Sequence, residues 1–239
     1  DLLPGQIIGA LLRTATARAD TVVATSGAIA RAADPAGRRL SRTHVIRPGV
    51  DAAAWELPDP PPEPPRALVL GALVPWKRPD LALEIAARVP ELRLDLAGAP
   101  LPGDPTAFVA ALHERASRPD LAGRVSFLGH VDDPRAALTD AHCLLHCADR
   151  EPYGLALVEA LAAGRPVVAP AAAGPLEIVT PACGRLYVPG DPDAGAAALR
   201  AVLADPDAPA AARERAARFD GTASARRFAA LVAADRRLD

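Results

Sequence analysis

Two carboxylates eight residues apart offer the clearest chemistry in the chain. They stand in the run Glu151-Pro-Tyr-Gly-Leu-Ala-Leu-Val-Glu159-Ala-Leu-Ala-Ala-Gly164. Glu151 falls in a loop after an apolar stretch, and Glu159 lies inside the helix that follows. Tyr153, Gly154 and Leu155 make that helix's first turn. First-turn amides have no intrahelical acceptor and the helix dipole is positive there, so the turn suits an anion. Gly154 lets a ligand come close to the backbone. A carboxylate before such a turn can accept hydrogen bonds from sugar hydroxyls. One placed two turns along can take two vicinal hydroxyls, as a ribose offers. The plain alternative is an amphipathic helix with solvated acids.

Lys77 is the single lysine among 27 basic residues. An Ala-, Pro- and Arg-rich composition reads as the coding bias of a GC-rich genome, which replaces Lys wherever Arg will serve. A retained ammonium on a loop suits a phosphate, as a compact point charge. An ordinary surface lysine is the alternative.

Two other clusters resemble sites and read as structure. Asp191-Pro192-Asp193 has the spacing of an acidic metal motif, but Asp before Pro is an N-cap followed by proline at the first helical position. His142, Cys143, His146 and Cys147 fall within one expected strand. There the cysteines share one face and the histidines the other, so four ligands cannot converge. His146, near the strand's end, remains a candidate to line a cleft.

These residues are positioned by an alternation of short apolar runs and longer Ala-rich segments. An amphipathic segment over Ile7–Ala19 precedes strands expected at Thr21–Thr25 and His44–Arg47, with a helix at Gly27–Ala33 between them. A proline-rich connector over Asp59–Pro65 cannot be helix or inner strand. Strands are then expected at Ala67–Leu70, Leu92–Ala97, Val125–Leu128, His142–Cys147, Pro166–Ala169 and Arg185–Val188. Helices are expected at Pro79–Val89, Pro105–Ser117, Pro134–Thr139, Gly154–Ala163, Asp191–Ala204, Ala208–Phe219 and Thr222–Arg236. Gly164 is placed to end one of them. Strand and helix in alternation predict an α/β doubly wound parallel sheet, Rossmann-like, with ligands beyond the strands' C-terminal ends.

The ordered set of motifs resembles retaining glycosyltransferase family 4, which has the GT-B fold of two facing Rossmann-like domains. The Glu151–Glu159 run resembles its Glu-x7-Glu motif. Pro48-Gly-Val-Asp51 resembles its Asn-Gly-Val-Asp turn, and Gly71-Ala-Leu-Val-Pro-Trp-Lys77-Arg-Pro-Asp80 its Gly-Arg-Leu-x4-Lys loop. Gly174-Pro-Leu-Glu177-Ile-Val resembles its Gly-Gly-x-x-Glu-x-Val loop. The resemblance implies a nucleoside diphosphate sugar donor, with Lys77 on the diphosphate and Glu159 on the ribose. Glu151 and the amides of Tyr153, Gly154 and Leu155 would hold sugar and phosphate. Gly71, Arg78 and Glu177 would belong to the same donor site, and Lys77 and Glu151 would be catalytic. Ala72 stands where the family has Arg, with Arg78 as a replacement cation. A subgroup of mannosyl- and related transferases has a similar Leu-Val-Pro-Tyr-Lys-Arg loop without that Arg. Ala173 stands for the first Gly of a pair.

The resemblance further implies that residues 1–50 are the tail of an N-terminal acceptor domain plus linker. Residues 51–220 would be the donor domain and 221–239 a C-terminal helix. The chain starts at Asp1 and contains no Met, as expected of a piece of a longer parent. The partners expected are the donor, an acceptor of unassigned class (glycan, lipid or small molecule) and the parent's acceptor domain. No metal or other cofactor is expected. A non-catalytic nucleotide- or sugar-binding module, a degenerate transferase and a nucleotide-sugar epimerase stay open as alternatives.

Composition sets the outer bounds. A formal net charge of −2 excludes a polycationic nucleic-acid binder. Aromatics are 3% and 56 residues are Ala, so the core must be Val, Leu, Ile and Ala. No apolar run reaches the length of a membrane span. Three cysteines make no disulfide framework, and a cytoplasmic setting is expected, with any inner-membrane attachment in the missing domain.

Overall fold

Continuous apolar runs become the inner strands of one parallel sheet, as they must when helices cover both faces. A computed structural model describes residues 14, 15, 17–38, 40–62, 64–101, 103 and 106–235. Its main sheet has six strands: β3 (Arg66–Leu70), β4 (Arg93–Ala97), β5 (Val125–Gly129), β6 (Cys143–Leu145), β7 (Val167–Pro170) and β8 (Gly184–Tyr187). Their spatial order is β5-β4-β3-β6-β7-β8, and every neighbouring pair is parallel. The chain builds outward from β3 to one edge, then returns to lay β6 on the other side of β3. Loops leaving β3 and β6 therefore diverge, and a crevice opens between their C-terminal ends.

The two sides of the sheet separate by residue alternation. One side buries Val69, Leu94, Leu96 and Leu145 under α2 (Pro79–Ala87), α3 (Thr106–Ala116) and α7 (Pro192–Leu203). The other buries Leu68, Leu144, Val167 and Ala169 under α4 (Pro134–Thr139), α5 (Leu155–Ala162) and α8 (Ala208–Ala216). Cys143 and Cys147 lie together in the first layer, on the opposite side from Leu144. Of the helix ends, Gly164 follows α5 at φ 70°, the left-handed value that a helix terminator needs. Asp191 caps α7, its Oδ1 accepting from the amides of Asp193 and Ala194 at 2.9 and 3.0 Å.

A two-stranded parallel sheet, β1 (Val22–Ala24) and β2 (Thr43–Val45), holds the start of the described chain, with α1 (Gly27–Ala33) between its strands. The chain then turns at Pro48–Asp51, where Val50 bridges Asp220. Gly49 runs so close to the backbone before α9 (Gly221–Asp235) that a Cβ there would sit 2.1 Å from the Phe219 carbonyl oxygen. That close pass accounts for glycine in the Pro48–Asp51 turn.

Strand expectations shift by one to two residues at several ends. β2 ends at Val45 rather than Arg47, and β8 runs from Gly184 to Tyr187 rather than from Arg185 to Val188. The helix begun at Ala208 stops at Ala216, three residues before the expected Phe219. Most of the segment expected over Ile7–Ala19 lies outside the described residues, as do Glu63, Pro105 and Arg236.

Candidate functional site

The crevice between β3 and β6 gathers the residues of greatest interest. After β3 the chain turns at Gly71, whose φ of 141° lies outside the range side chains favour. It then forms a 3₁₀ turn over Pro75–Lys77. Arg78 follows in the left-handed conformation (φ 54°, ψ 48°), and Pro79 starts α2. A residue before proline is disfavoured in the right-handed helical region, so the turn and the helix cannot merge. Lys77 is thereby lifted out of α2 and over the crevice.

Its ammonium meets Glu151. Nζ lies 2.6 Å from Glu151 Oε2, and 4.4 Å from the centre of the Trp76 ring. Trp76 is about half exposed. Glu151 is buried in the loop after β6, with its carbonyl accepting from the Gly174 amide at 3.0 Å. The same Oε2 is 3.6 Å from His146 Nε2. Burial pushes the His146 imidazole down to about 4, with Lys77 lowering it further and Glu151 opposing. It is neutral at pH 7, so its contact with Glu151 is not an ion pair.

Glu151 leads directly into α5. Gly154 sits at φ 103°, ψ 58°, a conformation that would strain any side chain. Tyr153 is buried, its hydroxyl donating to the Pro48 carbonyl at 2.5 Å. The Gly174 backbone passes against it, and a Cβ on Gly174 would lie 2.1 Å from the Tyr153 carbonyl oxygen. The first turn of α5, from Leu155, thus begins beside Glu151, with amides that α5 itself cannot satisfy. Glu159 stands on the second turn, half-buried, and burial alone raises its pKa. Such a carboxylate gains from donors that a ligand brings.

Beside Gly71 lies an open cleft of about 450 Å³ with an apolar lining that includes Leu70, Gly98, Pro100, Leu101 and Val131. Ala72 lines it too. Gly98 is there because a Cβ would fall 1.9 Å from the Gly71 carbonyl oxygen.

Two expected site residues are engaged elsewhere. Arg78 directs its guanidinium to Asp80, at 3.0 Å, and to Asp149, at 3.2 Å. It ties its own turn to the loop before Glu151 rather than joining Lys77 on that carboxylate. Glu177 was expected with the donor-site residues. Its Oε2 instead accepts from Arg47 Nη2 and Nε, at 2.7 and 2.9 Å, and its Oε1 from the Ala28 amide at 3.0 Å. These bonds hold its carboxyl below the ordinary glutamate range against the opposing effect of burial. Glu177 therefore fastens the first segment of the chain to the six-stranded sheet. Arg47 carries no motif signal, and Trp76 lies in the Gly71–Asp80 loop without an expected role. Ala173, one residue before Gly174, has φ 47°, which explains why glycine is expected there.

Asp193 pairs with Arg88 at 2.6 Å, so both acids of Asp191-Pro192-Asp193 are engaged within the fold. Among the described residues, no three His, Cys, Asp or Glu side chains gather as a metal site. No described helix is long and apolar enough to cross a membrane.

Residues 57–219 match the sequence family described as "Glycosyl transferases group 1". The chain is 33% identical over 188 residues to the D-inositol 3-phosphate glycosyltransferase of Mycobacterium marinum, covering 72% of this chain and 38% of that protein. It is 34% identical over 194 residues to the protein of that name from Mycolicibacterium paratuberculosis, covering 77% and 43%. The chain thus spans about two-fifths of these relatives. Among solved structures, Anabaena HepE in complex with UDP and glucose superposes with a TM-score of 0.86 at 26% identity, over 97% of this chain and 68% of that one. Sucrose-phosphate synthase from Thermosynechococcus elongatus shares the fold, with a TM-score of 0.86 at 23% identity over 98% and 63%. The six parallel strands and their helices are one Rossmann-like half of the GT-B architecture, and the chain belongs to the group 1 glycosyltransferase family.

Proposed function

We propose that this chain is the donor-binding half of a retaining, metal-independent glycosyltransferase. The parent protein moves a hexosyl group from a nucleoside diphosphate sugar to an acceptor. The observation that carries the reading is the convergence of Lys77, Glu151 and the N-terminus of α5 at the β3–β6 crevice, with Glu159 on the next turn.

Lys77 leaves Glu151 for the diphosphate, which carries more negative charge than one carboxylate. The first amides of α5 take further phosphate oxygens, and together they stabilise the charge that grows on the leaving group. Glu159 receives the ribose hydroxyls, and Glu151 those of the sugar. The apolar cleft beside Gly71 offers room for a planar base. HepE, solved with UDP and glucose, supports a uridine donor. The likeness of the Leu73–Arg78 loop to mannosyltransferases keeps mannose as the alternative sugar. The acceptor is held by a domain N-terminal to this chain, so the chain alone binds a donor weakly and transfers nothing. Orientation of the acceptor can supply about 7–11 kcal/mol of a barrier, and that contribution is lost with the domain.

Calorimetry tests the reading on this chain. UDP and UDP-glucose should bind, and guanine or adenine nucleotides more weakly. Failure of every nucleoside diphosphate to bind would overturn it.

A further inference from the structure

We propose that His146 is a positioning residue for Glu151, taking over that carboxylate when a donor diphosphate draws Lys77 away. The proposal rests on the donor-site reading above and adds a residue to it.

His146 Nε2 is the one buried side-chain nitrogen or oxygen without a hydrogen-bond partner among the described residues. Buried polar atoms are nearly always paired, and an exception at a site invites a functional reason. This atom lies 3.6 Å from Glu151 Oε2, the oxygen that Lys77 holds at 2.6 Å. Two nitrogens therefore approach one acceptor, and only that of Lys77 is within bonding distance.

The two donors differ in mobility. The backbone of His146 is fixed at the end of β6: its amide donates to the Val168 carbonyl at 2.8 Å, and its carbonyl accepts from the Tyr187 hydroxyl at 3.1 Å. Lys77 sits on a long aliphatic stem, its ammonium over a half-exposed indole. A diphosphate in the crevice competes for that ammonium. Once it leaves, Oε2 has lost its partner while buried. A movement of under about 1 Å brings it to the length of an N–H···O bond with Nε2.

The charge state suits the task. A buried imidazole is neutral at pH 7 and donates one proton without cancelling the carboxylate's charge. Glu151 then remains a full acceptor for sugar hydroxyls, held in place by a donor that cannot follow the phosphate. Among the described residues its other oxygen has only a long contact, 3.4 Å from the Tyr153 amide, to fix its orientation.

Nitrogen-15 labelling of the histidines gives a test that needs no turnover. The Nε2–H proton of His146 should move downfield when UDP is added at pH 7. Lys77→Ala should produce the same movement without ligand, because Glu151 is then already free to turn. The affinity gained in going from UDP to UDP-glucose should fall roughly tenfold in His146→Phe, the worth of one hydrogen bond to a charged group. His146→Gln, which keeps a donor at a similar reach, should recover most of it, and UDP alone should bind wild type and the two His146 variants alike. A His146 signal that ignores both UDP and Lys77→Ala overturns the proposal, as does a His146→Phe variant that loses UDP and UDP-glucose equally while His146→Gln rescues neither. If Lys77→Ala leaves UDP affinity intact, the donor-site reading itself falls, and this proposal with it.

Discussion

Arg47 and Glu177, 130 positions apart, are joined by two hydrogen bonds from one guanidinium to one carboxylate oxygen. The second oxygen of Glu177 receives the Ala28 amide in the first turn of α1. One side chain thus ties α1 and the strand-end segment of the first sheet to α6 (Pro175–Ile178), the short helix after β7. Ser26 adds to the same seam, its hydroxyl donating to the Pro152 carbonyl at 2.6 Å.

Glu177→Ala is expected to lower stability by about 1–3 kcal/mol, the range for losing a partly buried charged acceptor that also satisfies a first-turn amide of α1. The half-exposed Arg47 side of the pair adds little to that figure. UDP affinity should be unchanged. Urea denaturation beside calorimetry checks both, and a large loss of UDP affinity at wild-type stability would return Glu177 to the donor site.

Lys77→Ala should weaken UDP binding by roughly 10- to 150-fold, corresponding to about 1.5–3 kcal/mol for a hydrogen bond to a charged group. Uridine binding should be spared, because the nucleoside has no phosphate to lose. Equal losses for the two ligands would take Lys77 out of the phosphate site.

Glu159→Gln should reduce affinity for UDP but not for its 2′,3′-dideoxy analogue. Burial raises the pKa of this carboxyl, and nothing among the described residues offsets that cost as ribose hydroxyls would. Matching losses for both nucleotides would make Glu159 structural.

Stability should fall in acid through His146. Its pKa drops from 6.5 to about 4 on folding, so between those values the unfolded chain binds the proton and the folded one does not. Stability therefore rises with pH across this window and is lost as pH falls from about 6.5 towards 4, by up to about 3 kcal/mol. Glu177, with a lowered pKa, adds loss of the same sign at lower pH. The difference between wild type and His146→Leu isolates the histidine, and parallel pH profiles for the two would refute its role.

A chelator should leave UDP binding unchanged. Asp191 is committed to two α7 amides and Asp193 to Arg88, so neither is free to take a cation. A titration in which EDTA abolishes binding, and Mg²⁺ restores it, would revive the acidic pair as a metal site.

The sequence alone determined what short-range rules control. Proline at the first helical position, Asp191 as a cap, Gly164 as a terminator and the helix start beside Gly154 each depend on a few neighbouring residues. The apolar alternation likewise determined the strands and the doubly wound class, with boundaries blurred where end turns fray. Tertiary structure decided what lies opposite what. That β6 pairs with β3 brings Lys77 to Glu151 across 74 positions, and it follows from sheet order rather than from any local pattern. The family motif grouped Glu177 with the donor site, yet Arg47 and the open amide of Ala28 compete for its carboxylate and win it. A conserved-looking letter names a side chain, but its partners are chosen by whichever donors the folded backbone places within about 3 Å. His146 shows the same limit from the other direction: its position near a strand end was legible, while the empty place at Nε2 exists only once β6, β7 and the Glu151 loop have packed around it.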